Sequence, residues 1–308
     1  MGPQVGFSYE HGDYRQNMAE DKDMRCVADV KAVLGEGPIW VERDQSLYWT
    51  DIKGQKIFRL AEGRALDQWD TPFRVGSIAP RETGGFIAGT DQGFAAIDLD
   101  LGSFDIIGNP EPDRLDNRSN DGKVDRDGYF WAGTMDDTER TASGALYRLD
   151  FDLRCTRMED GYRVPNGPAF SPGGRLMYHA DSARQIIYVY DLGEGGTLGE
   201  RNTFARFAEN DGYPDGMTVD AEGCLWVAFW DGWCVRRFSP AGECIRIVDL
   251  PVQRPTSLAF GGPDLDRLYV TSASIGLDEL ALKMQPLAGA MFQCDPGISG
   301  VAEIPFGG

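Results

Sequence analysis

The stretch Tyr213-Pro214-Asp215-Gly216-Met217 runs from a turn into a strand, because Pro and Gly end regular structure and the following letters MTVD alternate. A polar residue followed by glycine recurs at three other places, which are Glu36-Gly37, Asp121-Gly122 and Asn166-Gly167. Each pair precedes a similar block of short strands. If these blocks are repeats, their polar residues occupy equivalent positions in the fold.

Six blocks of this kind follow one another along the chain. Their equivalent positions lie 41 to 49 residues apart, at Gly37, Ile78, Gly122, Gly167, Gly216 and Ser257. This spacing is the length of a four-stranded propeller blade. The centre of each block is a short apolar run, which is typical of a strand buried on both faces. We therefore predict an all-β protein, a six-bladed β-propeller.

The two ends of the chain complete this domain plan. Residues 1–24 are polar and contain no apolar signal core, so we predict a flexible N-terminal tail followed by the propeller over 25–308. Residues 25–33 predict an extra strand, and GAMFQCD and VAEIPF predict strands near the C-terminus. Because an open propeller would expose an edge, we expect strands from both termini to share the closing blade. The segment 276–284 is the only helix-like one.

The composition and net charge limit which binding partners and which kinds of catalytic site we expect for this chain. The net charge of -19 disfavours nucleic acid and anionic lipid, and no apolar run approaches the ~20 residues of a membrane span. Six cysteines without a CxxC pair favour reduced thiols. We expect a cytoplasmic protein, a monomer or weak homo-oligomer, with no nucleic-acid or membrane partner. Only two histidines are present, which excludes a three-histidine zinc site.

The repeat register places one polar residue per blade at the mouth of the central channel. The six are Glu36, Ser77, Asp121, Asn166, Asp215 and Thr256. Carboxylates crowded on one axis repel one another, and a bound cation relieves that repulsion. Glu36, Asn166 and Asp215 offer oxygen ligands, which suit Ca²⁺, Mg²⁺ or Mn²⁺. The alternative is that these residues only form turns before glycine.

Five motifs carry a resemblance to a known family. They are LGEGPIW (34–40), RSNDGKVD (118–125), WAGTM (131–135), PNGPAFSPGG (165–174) and PDGMTVDAEGCLW (214–226). In this order they resemble the sugar-lactonase family, which also contains gluconolactonase, regucalcin (senescence marker protein) and luciferin-regenerating enzyme. The likeness runs from about residue 25 to about 306. FGGPDLDRLYVTSA and PLAGAMF look most like bacterial aldonolactonases, including xylonolactonase-like proteins.

The resemblance implies one divalent metal ion held by Glu36, Asn166 and Asp215. Calcium is favoured, and zinc, manganese, magnesium or ferrous iron are possible. It also implies that Asp215 is the general base. Arg118 and Asn120 match substrate-binding residues, and Asp137 falls where the family often has a glutamate that contacts sugar hydroxyls.

The implied function is metal-dependent hydrolysis of a sugar lactone, an aldono-1,4- or 1,5-lactone, to the aldonic acid in a sugar catabolic pathway. One alternative is a hydrolase of another ester or of a phosphorus ester on the same metal site. The phosphorus ester is disfavoured because we expect Arg118 to be the only basic residue near the site. The other alternative is a metal-binding propeller without catalysis.

Two residues keep open roles in this scheme. Asp121 could face the channel mouth, or it could orient Arg118 or a water molecule. His179 lies in YHADS at the end of a central strand. We expect it to be a core histidine that is hydrogen-bonded to a neighbour.

Overall fold

The computed structural model describes residues 22–308, which form six antiparallel sheets around a central channel. The predicted six-bladed β-propeller is confirmed. The first strand, β1 (Lys22–Ala28), belongs to the last blade. It overlaps the strand expected over 25–33 at residues 25–28. The predicted tail falls mostly on residues 1–21, which lie outside the described ones, and stays a prediction.

The blades follow the order of the sequence, and the first three are four-stranded meanders. Blade 1 contains β2 (Gly35–Val41), β3 (Ser46–Asp51), β4 (Lys56–Ala61) and β5 (Asp67–Asp70). Blade 2 contains β6 (Val75–Pro80), β7 (Phe86–Thr90), β8 (Gly93–Asp98) and β9 (Ser103–Gly108). Blade 3 contains β10 (Asn117–Val124), β11 (Phe130–Asp136), β12 (Gly144–Leu149) and β13 (Cys155–Tyr162).

The second half of the ring repeats the pattern with one addition. Blade 4 contains β14 (Pro165–Phe170), β15 (Leu176–Asp181), β16 (Ile186–Gly193), the short β17 (Thr197–Leu198) and β18 (Asn202–Arg206). Blade 5 contains β19 (Tyr213–Val219), β20 (Leu225–Trp230), β21 (Cys234–Phe238) and β22 (Cys244–Asp249). Blade 6 contains β23 (Pro255–Gly261), β24 (Arg267–Ser272) and β25 (Met291–Asp295), and β1 is its outer strand.

The closing blade joins the two ends of the chain as expected. Strand β1 pairs antiparallel with β25, so N-terminal and C-terminal strands share one sheet. The one α-helix among residues 22–308 is α1 (Glu279–Met284), inside the helix-like segment, and the Asp278 carboxylate accepts a hydrogen bond from the N–H of Ala281 at its start. No helix in this range is long and apolar enough to cross a membrane. Single 3₁₀ turns occupy Glu42–Asp44, Ser182–Arg184, Glu194–Gly196 and Glu209–Asp211.

The core fills the spaces between neighbouring blades. Three tryptophans on second strands, Trp49, Trp131 and Trp226, are fully buried. Two of them are fixed by a turn aspartate: Trp131 Nε1 donates to Asp125 at 2.7 Å, and Trp226 Nε1 donates to Asp220 at 2.8 Å. The indole N–H groups therefore find acceptors although the rings are buried.

The C-terminal segment 297–308 crosses the end of the channel away from the predicted site. Its backbone bonds to the far ends of the inner strands and the turns after them: the carbonyl of Ser299 accepts from the N–H of Ala221 in blade 5, and the N–H of Phe306 donates to the carbonyl of Pro80 in blade 2. Glu303 pairs with Lys123 on the inner strand of blade 3 at 3.0 Å. VAEIPF was predicted to add a strand, and that prediction is wrong. The segment makes only isolated bridges because it runs across the blades rather than along one.

Candidate functional site at the channel mouth

The six inner strands share an irregularity at the predicted register. The inner strands of neighbouring blades contact one another all the way round the ring. Each breaks its pairing register near its start, at Glu36/Ile39, Val75/Ser77, Ser119/Gly122, Asn166/Ala169, Pro214/Met217 and Pro255/Leu258. A β-bulge turns a side chain out of the regular alternation, and here it can direct one polar side chain per blade toward the channel.

Close approach of the inner strands explains the glycine after the polar residue. A Cβ atom added to Gly216 would lie 2.1 Å from Ser257 Oγ in the next blade. One added to Gly122 would lie 2.7 Å from Ser77 Oγ. The glycines therefore allow the strands to converge, and the preceding polar residues converge with them.

Three buried carboxylates with raised pKa values lie at this mouth. Glu36, Asp121 and Asp215 are each less than 10% exposed, at 5%, 8% and 6%. Burial raises the pKa of Glu36 well above its usual value, and the charge of Asp121 raises it further. Burial also raises the pKa of Asp215, with added repulsion from Glu36 and then from Asp121. The pKa of Asp121 is raised to about 6, chiefly by burial. The cluster is therefore strained by like charge.

Asn166 is held in one orientation by its neighbours. Its Nδ2 donates to Ser182 Oγ at 2.8 Å, and the Ser182 hydroxyl in turn donates to the carbonyl of Pro214 at 2.5 Å. Its Oδ1 accepts from Asn120 Nδ2 at 2.9 Å. The amide oxygen is thus fixed on the side of Asn120, and one of its lone pairs is left for another partner.

Arg118 is bound to the same network. Its Nη1 donates to Asn120 Oδ1 at 2.7 Å and to the carbonyl of Ser119 at 3.0 Å. Its Nε donates to Asp137 Oδ1 at 2.6 Å. An unbroken series of hydrogen bonds therefore runs from Asp137 through Arg118 and Asn120 to Asn166.

The structure adds two basic residues that the sequence reasoning missed. Asp137 also accepts from Lys53 Nζ at 2.7 Å and from Arg74 Nη1 at 2.7 Å. The expectation that Arg118 is the only basic residue near the site is wrong. Lys53 and Arg74 lie on loops of other blades, and they carry no motif of their own. A possible signal was that Arg74 immediately precedes an inner strand, close to the register position Ser77.

Comparisons with known proteins show the family of this chain. A family model described as the SMP-30/Gluconolactonase/LRE-like region matches residues 34–274. The chain is 36% identical over 290 residues to 6-deoxy-6-sulfogluconolactonase of Pseudomonas putida, covering 94% of this chain and 100% of the relative. The chain belongs to the SMP-30/gluconolactonase family. It is also 37% identical over 287 residues to L-arabinolactonase of Azospirillum brasilense, covering 92% and 95% of the two chains.

A solved family structure has the same fold. The crystal structure of a calcium-binding protein, regucalcin, from Agrobacterium tumefaciens superimposes with a TM-score of 0.88 at 29% identity. The match covers 92% of this chain and 97% of that one. Family membership, predicted from five short motifs, is thereby confirmed.

The side chains at the channel mouth offer the oxygen donors that a divalent cation such as Ca²⁺ prefers. The similar regucalcin structure is described as that of a calcium-binding protein. Glu36 and Asp215 offer carboxylate oxygens, and Asn166 offers an oriented amide oxygen. Over residues 22–308, no three His, Cys, Asp or Glu side chains are grouped to hold a metal ion. The predicted set needs only two such residues, because its third ligand is an amide. The mutual repulsion of the carboxylates is the feature that a cation would relieve.

Asp121 and His179 have separate positions. Asp121 accepts hydrogen bonds from the N–H groups of Gly122 and Gly167, both at 2.8 Å, and so ties blade 3 to blade 4 beside the other carboxylates.

His179 is fully buried in blade 4, with its ring edge-on to the ring of Tyr162 and the two ring centroids 4.7 Å apart. Burial lowers the pKa of His179 to about 3. Its core position is confirmed. The expected hydrogen bond is not, because neither ring nitrogen has a partner among residues 22–308.

Proposed function

We propose that this protein hydrolyses a sugar lactone to the corresponding aldonic acid at the channel mouth, and that Glu36, Asn166 and Asp215 hold a divalent metal ion there. The observation that carries the proposal is the buried cluster of mutually repelling carboxylates beside an oriented amide, in a chain of the SMP-30/gluconolactonase family. Calcium is our first choice because every donor is a hard oxygen. The named relatives make gluconolactones, arabinolactone and 6-deoxy-6-sulfogluconolactone the first substrates to test.

The residues of this chain have distinct tasks in the proposed reaction. A cation held by Glu36, Asn166 and Asp215 would supply Lewis-acid polarisation of the lactone carbonyl and stabilisation of the developing oxyanion. Asp215 takes the proton from the attacking water at a carboxylate oxygen. For this it must be ionised, and a neighbouring cation favours the ionised form that burial opposes.

Substrate orientation is assigned to the hydrogen-bonded series beside the metal ligands. Arg118 is buried and fixed at three points, so it presents its remaining N–H group with little loss of side-chain entropy. Asn120 fixes Asn166 and thereby one of the proposed ligands. Asp137, with three cationic partners, has a pKa held below its usual value despite partial burial, chiefly by the hydrogen bond from Lys53 and then those from Arg74 and Arg118. It is therefore an ionised acceptor at neutral pH.

A panel of five- and six-membered aldonolactones tests this function. Hydrolysis is followed by acid release, with the purified protein in calcium, manganese, magnesium or zinc. We expect saturable turnover of at least one lactone well above its spontaneous hydrolysis. If no lactone is turned over with any of these metals, the proposal fails.

One further candidate is a metal-binding propeller without turnover, because the regucalcin structure is described as that of a calcium-binding protein. Calcium binding measured by calorimetry, with no turnover of any lactone in the same preparation, would favour this candidate. The phosphorus-ester alternative can no longer be set aside for want of basic residues, since Lys53 and Arg74 are present. A phosphotriester and an aryl phosphate in the same panel decide that point.

A further inference from the structure

Three cationic side chains from three successive blades converge on one carboxylate. Lys53 comes from the loop between β3 and β4, Arg74 from the residue before β6, and Arg118 from β10. Their nitrogen atoms lie 2.7, 2.7 and 2.6 Å from the carboxylate oxygens of Asp137. We call Lys53, Arg74 and Arg118 the cation trio.

The cation trio carries more charge than its carboxylate partners. Besides Asp137, it has one more acidic partner, Asp91, which pairs with Arg74 Nε at 2.8 Å. Three cations and two carboxylates give this group of five side chains a net charge of +1, in a chain whose formal net charge is -19. Such an excess attracts an anionic group, and partial exclusion of water strengthens the attraction.

The two arginines of the trio also have hydrogen-bond donors that could bind a ligand. Among residues 22–308, neither Arg74 Nη2 nor Arg118 Nη2 has an acceptor, and neither atom is sealed from solvent. The side chains of Lys53 and Arg74 are 25% and 28% exposed. A planar guanidinium edge is well matched to the paired oxygens of a carboxylate, sulfonate or phosphate.

The trio lies within reach of a substrate bound at the channel mouth. Arg118 belongs to the trio and also donates to Asn120, which donates to Asn166. One sugar-sized molecule can therefore contact the metal ligands and the trio together. A divalent cation at the other end of the site would be balanced by the carboxylates of Glu36 and Asp215, so the trio is the part of the site whose positive charge exceeds that of its direct partners. An anionic substituent is therefore favoured when the molecule points it toward the trio.

We propose that Lys53, Arg74 and Arg118 form an anion-binding subsite, so that the preferred lactone carries a second ionised group, a carboxylate, sulfonate or phosphate, at the end remote from its ring carbonyl. Lys53 and Arg74 are then specificity-determining residues. This inference rests on the proposed lactonase function, and its tests are chosen to fail separately from that function.

The competing explanation is that the trio only clamps three blades together. Arg254 provides a matched control, because it too immediately precedes an inner strand, that of blade 6, and pairs with one aspartate outside the trio, Asp231, at 2.7 Å. Arg254→Gln removes an ion pair of the same kind away from the trio. Arg74→Gln and Lys53→Met remove trio charges without touching the proposed metal ligands.

The experiment compares a neutral lactone, D-glucono-1,5-lactone, with lactones that end in a carboxylate or a sulfonate. For the wild type we expect kcat/KM to be at least tenfold higher with an anionic lactone, and to fall in 0.5 M NaCl only for that lactone. Arg74→Gln and Lys53→Met should each lower kcat/KM for the anionic lactone about tenfold, mainly through KM, and change the neutral one less than threefold. Arg254→Gln should leave the ratio between substrates unchanged. The carboxylate and sulfonate arms show which oxyanion fits.

Two results overturn the subsite. One is a wild-type enzyme that prefers the neutral lactone or shows no preference. The other is a parallel loss on both substrates in Arg74→Gln, which is what a clamp predicts. Binding of glucarate against gluconate, measured by calorimetry, gives an answer that needs no turnover. We expect glucarate to bind at least tenfold more tightly to the wild type and to lose that advantage in Arg74→Gln, and equal binding of the two contradicts the subsite.

Discussion

Two buried aspartates at opposite ends of one inner strand show how the same side chain serves function or fold. Asp215 lies near the start of β19, at the channel mouth, and Asp220 follows its end. Both are almost inaccessible, at 6% and 0% exposed. Asp220 accepts from the N–H groups of Glu222 and Cys224, from Trp226 Nε1 and from Arg237 Nε. Its charge is fully matched by donors.

Asp215 has the opposite surroundings. Glu36 and Asp121 repel its carboxylate, and among the described residues the backbone N–H of Gly216 is the one group that lowers its pKa. A buried carboxylate with so little compensation costs free energy that the rest of the fold must offset. Burial alone therefore does not mark a functional acid. The informative sign is a buried acid whose neighbours oppose its ionised form.

The largest effect is expected from Asp215→Asn. We predict that kcat/KM for the lactone falls about 10³-fold, because the variant loses the proposed base and one metal ligand. The fold should persist, since removing one charge also removes repulsion. Steady-state kinetics and circular dichroism check this. A variant that unfolds, or one with near wild-type activity, would contradict the role given to Asp215.

Asp220→Ala should affect stability instead of chemistry. We predict a loss of about 3 kcal/mol in the free energy of unfolding, because Arg237 and the indole N–H of Trp226 lose a buried acceptor. Glu222→Ala is the matched control. It removes an exposed partner of the same arginine, and an exposed ion pair contributes about 1 kcal/mol or less. Urea unfolding of both variants distinguishes the two kinds of partner, and equal losses would remove the distinction.

Chelation should reveal the cost of the charge cluster at the mouth. We expect EDTA to lower the unfolding free energy of the wild type by about 2 to 3 kcal/mol when the metal had been present near 100 times its dissociation constant. In Asp215→Asn the loss should be much smaller, because metal binding is already impaired. Differential scanning calorimetry measures both. A wild-type melting temperature that chelator does not change would argue against the metal.

The smallest effect concerns pH, and it applies to the metal-free protein. Burial raises the folded-state pKa values of Glu36, Asp121 and Asp215, and repulsion adds to the rise for Glu36 and Asp215, so the folded state binds protons more tightly than the unfolded state. Their contribution is present at low pH and is lost as pH rises through the folded pKa, which for Asp121 is about 6. We predict that the metal-free protein is about 1 kcal/mol less stable at pH 8 than at pH 5. Added metal should reverse this trend, and urea midpoints at the two pH values test it.

The sequence was sufficient for the fold and for the register of the site, for physical reasons. A blade is a local unit, so its repeat is written in the spacing of apolar runs and of polar-glycine pairs. The six equivalent positions therefore fell on the inner strands as predicted. The cytoplasmic location and the oligomeric state stay predictions. So do the metal-binding, catalytic and substrate-binding roles of the proposed site residues, which are Glu36, Asn166, Asp215, Arg118, Asn120 and Asp137.

What the sequence did not reveal depends on contacts between distant parts of the chain. Lys53 and Arg74 reach Asp137 across blade boundaries, and no local pattern distinguishes them from other surface cations. VAEIPF has the composition of a strand, but it crosses the blades at the far end of the channel. His179 was expected to have a hydrogen-bond partner, but its ring instead packs edge-on against the ring of Tyr162.

The central claim is that one metal ion at the channel mouth enables Asp215 to act in lactone hydrolysis. The most direct measurement is a titration of metal-stripped protein with calcium, manganese or zinc while lactone hydrolysis is recorded. The account predicts negligible activity without metal and a rise that saturates at one equivalent in the wild type, with no rise in Asp215→Asn. Full activity in protein shown by elemental analysis to be free of metal would contradict it.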